Sequence, residues 1–356
     1  MLNAAATLAE LRLRELLRVM VRLRASDLHV ASGMPPVARV DGRIAPVAMS
    51  PLREQEVEEL AATLAIHGAS AHRDTAGHLD FAIEDAEFGV VRVHLYRAGG
   101  KRIALRALGG GIPTAAELGL PRGVLEFADL RSGLVVIAGA TGSGKTTTAA
   151  ALIDTINEGV PRHVVTIEEP IEYRHRRKRG LVTQREIGVD VIDAATGIRA
   201  ALREDPDVIF LGELRDGAAA ETALTAAETG HLVVTTLHAR GADGAVERIV
   251  DLVPSKRRDH ARRQLAIVLA GVVYQRLVPR AGGAGRVAAV EVLVATPAVR
   301  SLVRDAKGHQ LRNAMATGRA AGMQTLAAHV EDLRMRGIVD EAAVRETLRD
   351  AGLADG

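Results

Sequence analysis

Apolar and polar positions follow two different rhythms along this chain, and the change from one to the other divides it. The opening segment carries a stripe at Leu13, Leu16, Leu17 and Met20, with Arg14, Arg18 and Arg22 among the residues between. Apolar residues that return every three or four positions predict a helix docked by one side. A helix lying on a membrane surface is the alternative that so basic a stretch leaves open. Strand-like runs follow at 27–30, 37–40 and 43–47, and Asp41-Gly42 between the last two is a hairpin signal. A helical stretch is expected over 53–66. Further strands are expected over 79–83, 90–96 and 102–108, with Gly99-Gly100 turning the last pair.

The run Gly109-Gly110-Gly111-Ile112-Pro113 interrupts both rhythms. Three glycines beside a proline read as a hinge between domains. We therefore expect a first domain over 1–108, a linker over 109–116 and a second domain over 117–356. Beyond the linker, continuous apolar runs at 134–138, 163–167, 207–211 and 231–235 read as strands buried on both faces of a parallel sheet. Helical segments over 145–157, 194–202 and 217–228 fit between and after them, which is α/β architecture. From about Thr296 the chain reads as mainly helical.

Composition narrows the function. The 356 residues suffice for two domains with cores of their own. With 46 basic and 44 acidic residues the net charge is only +2, which argues against a dedicated nucleic-acid binder. No cysteine is present, so disulfides, thiolate metal sites and cysteine nucleophiles are excluded. Aromatic residues make up 2% and tryptophan is absent, which disfavours base-stacking platforms. The most apolar stretch, Leu265 to Val273, is about half the ~20 residues of a spanning helix. No signal peptide is evident. A soluble protein is the expectation, and the lack of cysteine is compatible with the cytoplasm.

One motif carries chemistry without help from its surroundings. Gly139-Ala140-Thr141-Gly142-Ser143-Gly144-Lys145-Thr146 satisfies G-x-x-x-x-G-K-[ST] in full, with an apolar strand leading in and an alanine-rich helix leading out. Glycines let backbone N–H groups curl around phosphate oxygens, and the following helix turns its positive end to the same anion. Lys145 supplies charge for the β- and γ-phosphates, the Thr146 hydroxyl suits Mg²⁺, and Thr147 stands beside it. Hydrolysis also needs carboxylates. Glu213 ends one apolar run, and Glu168-Glu169 end another before Pro170. Ligands in such folds sit outside the carboxyl ends of the strands, where these acids converge. His231 and His238 bracket the run 232–237, with Thr235 and Thr236 inside it, and are candidates for sensing the γ-phosphate as much as for structural histidines.

Together these motifs resemble the secretion-superfamily ATPases of type II secretion and type IV pili. That family combines Walker A (here 139–146), an aspartate-rich box (166–172), Walker B (212–216) and a histidine box (228–238). Gln184-Arg185-Glu186 and the stretch 201–207 match as well. Residues 298–305, with Gly322-Met323-Gln324-Thr325-Leu326, are similar to the retraction branch, the PilT family. So is the lack of a four-cysteine module. The resemblance implies an N-terminal PAS-like α/β domain, then a RecA-like P-loop core with a helical tail, binding ATP and Mg²⁺. It implies Glu168 as the acid that activates water, Glu213 as the Walker-B acid near the metal, Glu169 as a further metal contact, and His231 and His238 as histidine-box contacts. Arg92, Arg97 and Arg106 would reach nucleotide phosphates. A homohexamer at the inner face of the cytoplasmic membrane is implied, bound there through a pilus platform protein, with no nucleic-acid partner. Glu169 stands where the family usually has Asp, and Thr235 where Gly is typical. Accessory, extension or secretion ATPases of the same superfamily are the alternatives, and a nucleic-acid translocase is a remoter one, for which the run Arg174 to Arg179 is the only basic cluster of note.

Overall fold

A capping box starts the first helix: Thr7 Oγ1 accepts the Glu10 N–H at 3.2 Å, and Glu10 Oε2 accepts the Thr7 N–H at 2.7 Å. In this computed structural model, which describes residues 7–67, 78–85, 87–108, 111–283 and 285–353, α1 then runs over Leu8–Leu23. The chain divides into two units, one built from residues up to Gly111 with Pro170–Arg174, the other from Ile112–Glu169 and from His175 onward. Gly109 and Gly110 of the expected linker lie outside the described residues.

In the first unit, β1 (Asp27–Ala31), β2 (Val37–Val40), β3 (Arg43–Pro46), α2 (Glu54–His67), β4 (Leu79–Asp85), β5 (Gly89–Arg97) and β6 (Lys101–Leu108) follow α1. The strands form an antiparallel sheet in the order β3-β2-β1-β6-β5-β4. Asp41 and Gly42 both take positive φ, 48° and 85°, as the tight turn between β2 and β3 requires. One sheet face contributes Leu28, Val30, Val93, Ile103 and Leu105 to a core shared with Leu16, Leu17 and Met20 of α1 and with Leu60 and Leu64 of α2. Burying each such side chain contributes roughly 2 kcal/mol. The α1 stripe is therefore spent inside the unit, and the membrane-surface alternative for it falls away.

The second unit opens on α3 (Arg122–Leu125) and β7 (Gly133–Ala138), then α4 (Lys145–Gly159), β8 (His163–Glu168), β9 (Leu181–Glu186), α5 (Ala194–Ala201), β10 (Val208–Leu211), α6 (Gly217–Glu228) and β11 (Leu232–Leu237). It continues with α7 (Gly241–Leu252), α8 (Arg258–Val268), β12 (Leu269–Pro279), β13 (Arg286–Val294), α9 (Pro297–Arg304), α10 (Leu311–Thr317), α11 (Leu326–Met335) and α12 (Glu341–Asp350). The sheet order is β13-β12-β7-β11-β10-β8-β9, parallel throughout except for the β12–β13 pair. Successive β7 side chains feed two cores. Leu134, Val136 and Ala138 face the helices α6 to α8, while Val135 and Ile137 face α4. Burial on both sides is why these strands read as unbroken apolar runs.

Two features escape the sequence rhythm. β9 is a half-buried edge strand with little apolar content. The β12–β13 hairpin is hidden because α8 passes into β12 without a turn residue, so the apolar run 265–273 spans a helix end and a strand start. Among the described residues no helix is long and apolar enough to cross a membrane.

Candidate active site

The phosphate-loop segment joins β7 to α4 at the carboxyl edge of the parallel sheet. Gly142 and Gly144 adopt left-handed φ of 76° and 84°, which disfavour any other residue. Gly144 is also the N-cap of α4 and makes no side-chain cap, so the first N–H groups of this 15-residue helix open onto the loop. Lys145 is buried, and its Nζ donates to the carbonyls of Gly139 at 3.0 Å and Ala140 at 2.9 Å. Ser143 Oγ is buried without a hydrogen-bond partner. A loop with an unpaired inward hydroxyl, a lysine held at its centre and an uncapped helix end fits a polyphosphate anion.

The acid-bearing strand ends lie along the same edge. Gly212 N–H donates to Ile167 O at 2.8 Å and Leu214 N–H to Thr236 O at 2.9 Å, so the ladder β8-β10-β11 continues past the strands into the motifs. A Cβ on Gly212 would fall 3.3 Å from Glu168 Cα, a tight contact that a glycine relieves where the two strand ends approach. Thr236 Oγ1 donates to Gly212 O at 2.6 Å, which ties the histidine box to the start of Walker B.

Glu168 is 4% exposed, and its Oε1 accepts from Thr166 Oγ1 at 2.7 Å and Gln184 Nε2 at 3.2 Å. Glu213 Oε1 lies 3.1 Å from His238 Nε2, and its Oε2 accepts from Arg215 Nε at 2.9 Å. Arg215 reaches with its Nη1 to Glu169 as well. Arg215 thus bridges Glu169 and Glu213, and His238 stands against the other oxygen of Glu213. The donor set of Thr146 hydroxyl and carboxylate oxygens is hard, which suits Mg²⁺.

His231 is not brought to this edge. It precedes β11, whose six residues at about 3.3 Å each put it roughly 20 Å from the carboxyl end where His238 stands. There its Nδ1 donates to Ala226 O at 3.0 Å and lies 3.2 Å from Thr229 Oγ1, closing the end of α6. The strand they bracket separates the two histidines, so they stand at opposite ends of β11 within the chain.

The three candidate arginines belong to the first unit. Arg92 and Arg106 are directly paired across β5 and β6 and share the polar sheet face. Arg92 Nε donates to Asp80 at 3.4 Å, and Arg106 Nε to Asp27 at 2.7 Å. His94 stacks on Tyr96 on the same face, with ring centroids 5.2 Å apart. Arg97 alternates to the opposite parity and is exposed at the strand end.

Sequence reasoning missed Arg215, Gln184 as a partner of Glu168, and Gln275. The last had a signal: it is a single amide embedded in the run Val272 to Val278, and it is 1% exposed.

A family model described as type II/IV secretion system protein matches residues 5–351. The chain belongs to that family. The type IV pilus retractation ATPase PilT of Pseudomonas aeruginosa is 38% identical over 333 residues, covering 93% of this chain and 96% of its own. The uncharacterized protein YggR of Escherichia coli K12 is 43% identical over 317 residues, covering 88% and 96%. Among solved structures, the pilus retraction motor PilT with bound ADP superposes with a TM-score of 0.79 at 37% identity, covering 96% of this chain and 97% of that one. The PAS-like first unit and the RecA-like second unit are those of this family.

Proposed function

We propose that the chain is the ATP-hydrolysing subunit of a type IV pilus retraction motor. The observation that carries this reading is the complete phosphate loop with Glu168, Glu213 and His238 ranged along the same sheet edge, in a chain that matches the retraction ATPase PilT over almost its full length.

In this reading the loop amides of Gly139, Thr141, Gly142, Ser143 and Gly144, with Lys145, Thr146 and Thr147, hold the nucleotide phosphates. Lys145 exchanges the carbonyls it now holds for phosphate oxygens. Thr146, Glu213 and Glu169 are the residues that would hold Mg²⁺, which when bound neutralises charge along the phosphates. Glu168, fixed by Thr166 and Gln184, is placed to accept a proton from water. Arg215 keeps Glu213 and Glu169 side by side. His238 reads the state of Glu213 through their close contact and passes it into the segment ahead of α7. His231 is left for contacts outside its own chain's phosphate loop, and Arg92, Arg97 and Arg106 offer charge to the phosphates.

Residues 1–108 and 117–356 act as the two moving domains, with 109–116 as the hinge. Six copies form the ring, which works at the inner face of the cytoplasmic membrane on a platform protein of the pilus base. Expression of this chain in a piliated strain that lacks its own retraction ATPase tests the reading. Restored twitching with the wild type, and none with Lys145→Ala at equal protein level, is expected. Hyperpiliated, immobile cells with the wild-type chain would overturn it.

A further inference from the structure

The amide of Gln275 lies outside the machinery described so far, yet it is built into the phosphate loop from behind. It sits on β12, where Tyr274 is level with Ala138, the last residue before the loop. Its Nε2 donates to Ser143 O at 2.7 Å, and its Oε1 accepts from Thr148 Oγ1 at 2.7 Å. One buried side chain therefore bonds both the loop and the first turn of α4. Gln275 also presses close on two glycines of the loop, once with its carbonyl and once with its amide. A Cβ on Gly139 would lie 2.5 Å from Gln275 O, and one on Gly144 would lie 2.8 Å from Gln275 Nε2. Gly139 and Gly144 are thus crowded by Gln275 in addition to their positive φ of 154° and 84°, whereas Gly142 has nothing within 4 Å and is demanded by its φ alone.

The bond to Ser143 O has a directional consequence. The peptide joining Ser143 to Gly144 is planar and trans, so its C=O and N–H point to opposite sides. Holding the carbonyl on Gln275 turns the Gly144 N–H away from β12. We propose that Gln275 is a positioning residue for phosphate binding, which fixes this peptide so that the Gly144 amide is aimed at the anion, with Thr148 as its second anchor. The proposal rests on the reading of the loop as a nucleotide site.

The test is ADP affinity by calorimetry, with kcat and KM for ATP, for the full chain and its Gln275→Met, Gln275→Glu, Thr148→Val, Thr148→Ser and Lys145→Ala variants. Methionine keeps the volume and removes both bonds. Glutamate keeps an acceptor for Thr148 but sets a carboxylate oxygen against Ser143 O. We expect ADP to bind about tenfold more weakly to Gln275→Met, with KM raised in step and kcat within about twofold. Gln275→Glu is expected to be weaker still. Thr148→Val loses less than Gln275→Met, and Thr148→Ser recovers what Thr148→Val loses.

A purely structural amide would lower the thermal midpoint without this split between KM and kcat. Folded Gln275 variants that bind ADP as the wild type does, beside a Lys145→Ala variant that does not, would overturn the role of Gln275 and leave the nucleotide reading standing. If the Gln275 variants do not fold, wild-type affinity in Thr148→Val overturns it, and a loss restored in Thr148→Ser supports it. A wild-type chain that binds no ADP overturns both.

Discussion

His329 is a buried histidine whose chemistry is legible only in three dimensions. Its Nδ1 accepts the Val290 N–H at 2.9 Å, which requires that nitrogen to be unprotonated. Burial, the largest influence, lowers its pKa from the usual 6.5; Asp332 pulls it upward and Arg336 downward. A histidine depressed in the folded state stabilises the fold at pH above its unfolded value, and that contribution is lost as pH falls below about 6.5. The thermal midpoint should therefore fall between pH 7 and pH 5. It should fall less in His329→Gln, whose amide oxygen can accept the same bond without titrating. Equal slopes for the two proteins would contradict this. His175, also depressed by burial, supplies part of the slope that remains. At this scale the sequence was informative where function is local. The phosphate loop is contiguous, so its glycines and Lys145 could be assigned by type and spacing alone. The contacts of His231 could not, because its partners Ala226 and Thr229 come from the end of α6 and not from the strand it precedes.

The helices that follow the acid-bearing strands start on their own caps. Asp216, the last residue of the Walker-B motif, accepts the Ala219 N–H at 2.9 Å and is the N-cap of α6. Its place in the motif is accounted for by structure, since the cap fixes where the chain leaves Glu213 and turns into helix. Asp216→Ala should lower unfolding stability by about 1 kcal/mol, and Asp216→Asn should recover most of it; chemical denaturation of the three proteins is the measurement. A loss of several kcal/mol, or none, would show that the cap is not the main role of Asp216. Elements buried on two faces, such as β7, β10 and β11, could be read from their apolar runs. β12 could not be. A Cβ at Gly271 would collide with the Phe127 ring and lie 2.7 Å from Leu293 O, so the strand has a glycine among its apolar residues and a register shift beside it. Both blur the period on which a strand is recognised.

For the whole molecule, the change of rhythm near residue 110 was visible in the sequence as glycine and proline. The grouping of Pro170–Arg174 with the first unit was not, because it depends on where a loop leads and not on its composition. In the proposed function, these two units, repeated around a ring, turn over ATP through Glu213. Steady-state Mg-ATPase of the purified chain beside Glu213→Gln, with oligomer mass recorded for both, tests it most directly. Turnover by a hexamer, falling at least about a hundredfold in a mutant ring of unchanged mass, is the predicted result. An intact wild-type hexamer without turnover, or a Glu213→Gln ring as active as the wild type, would contradict it.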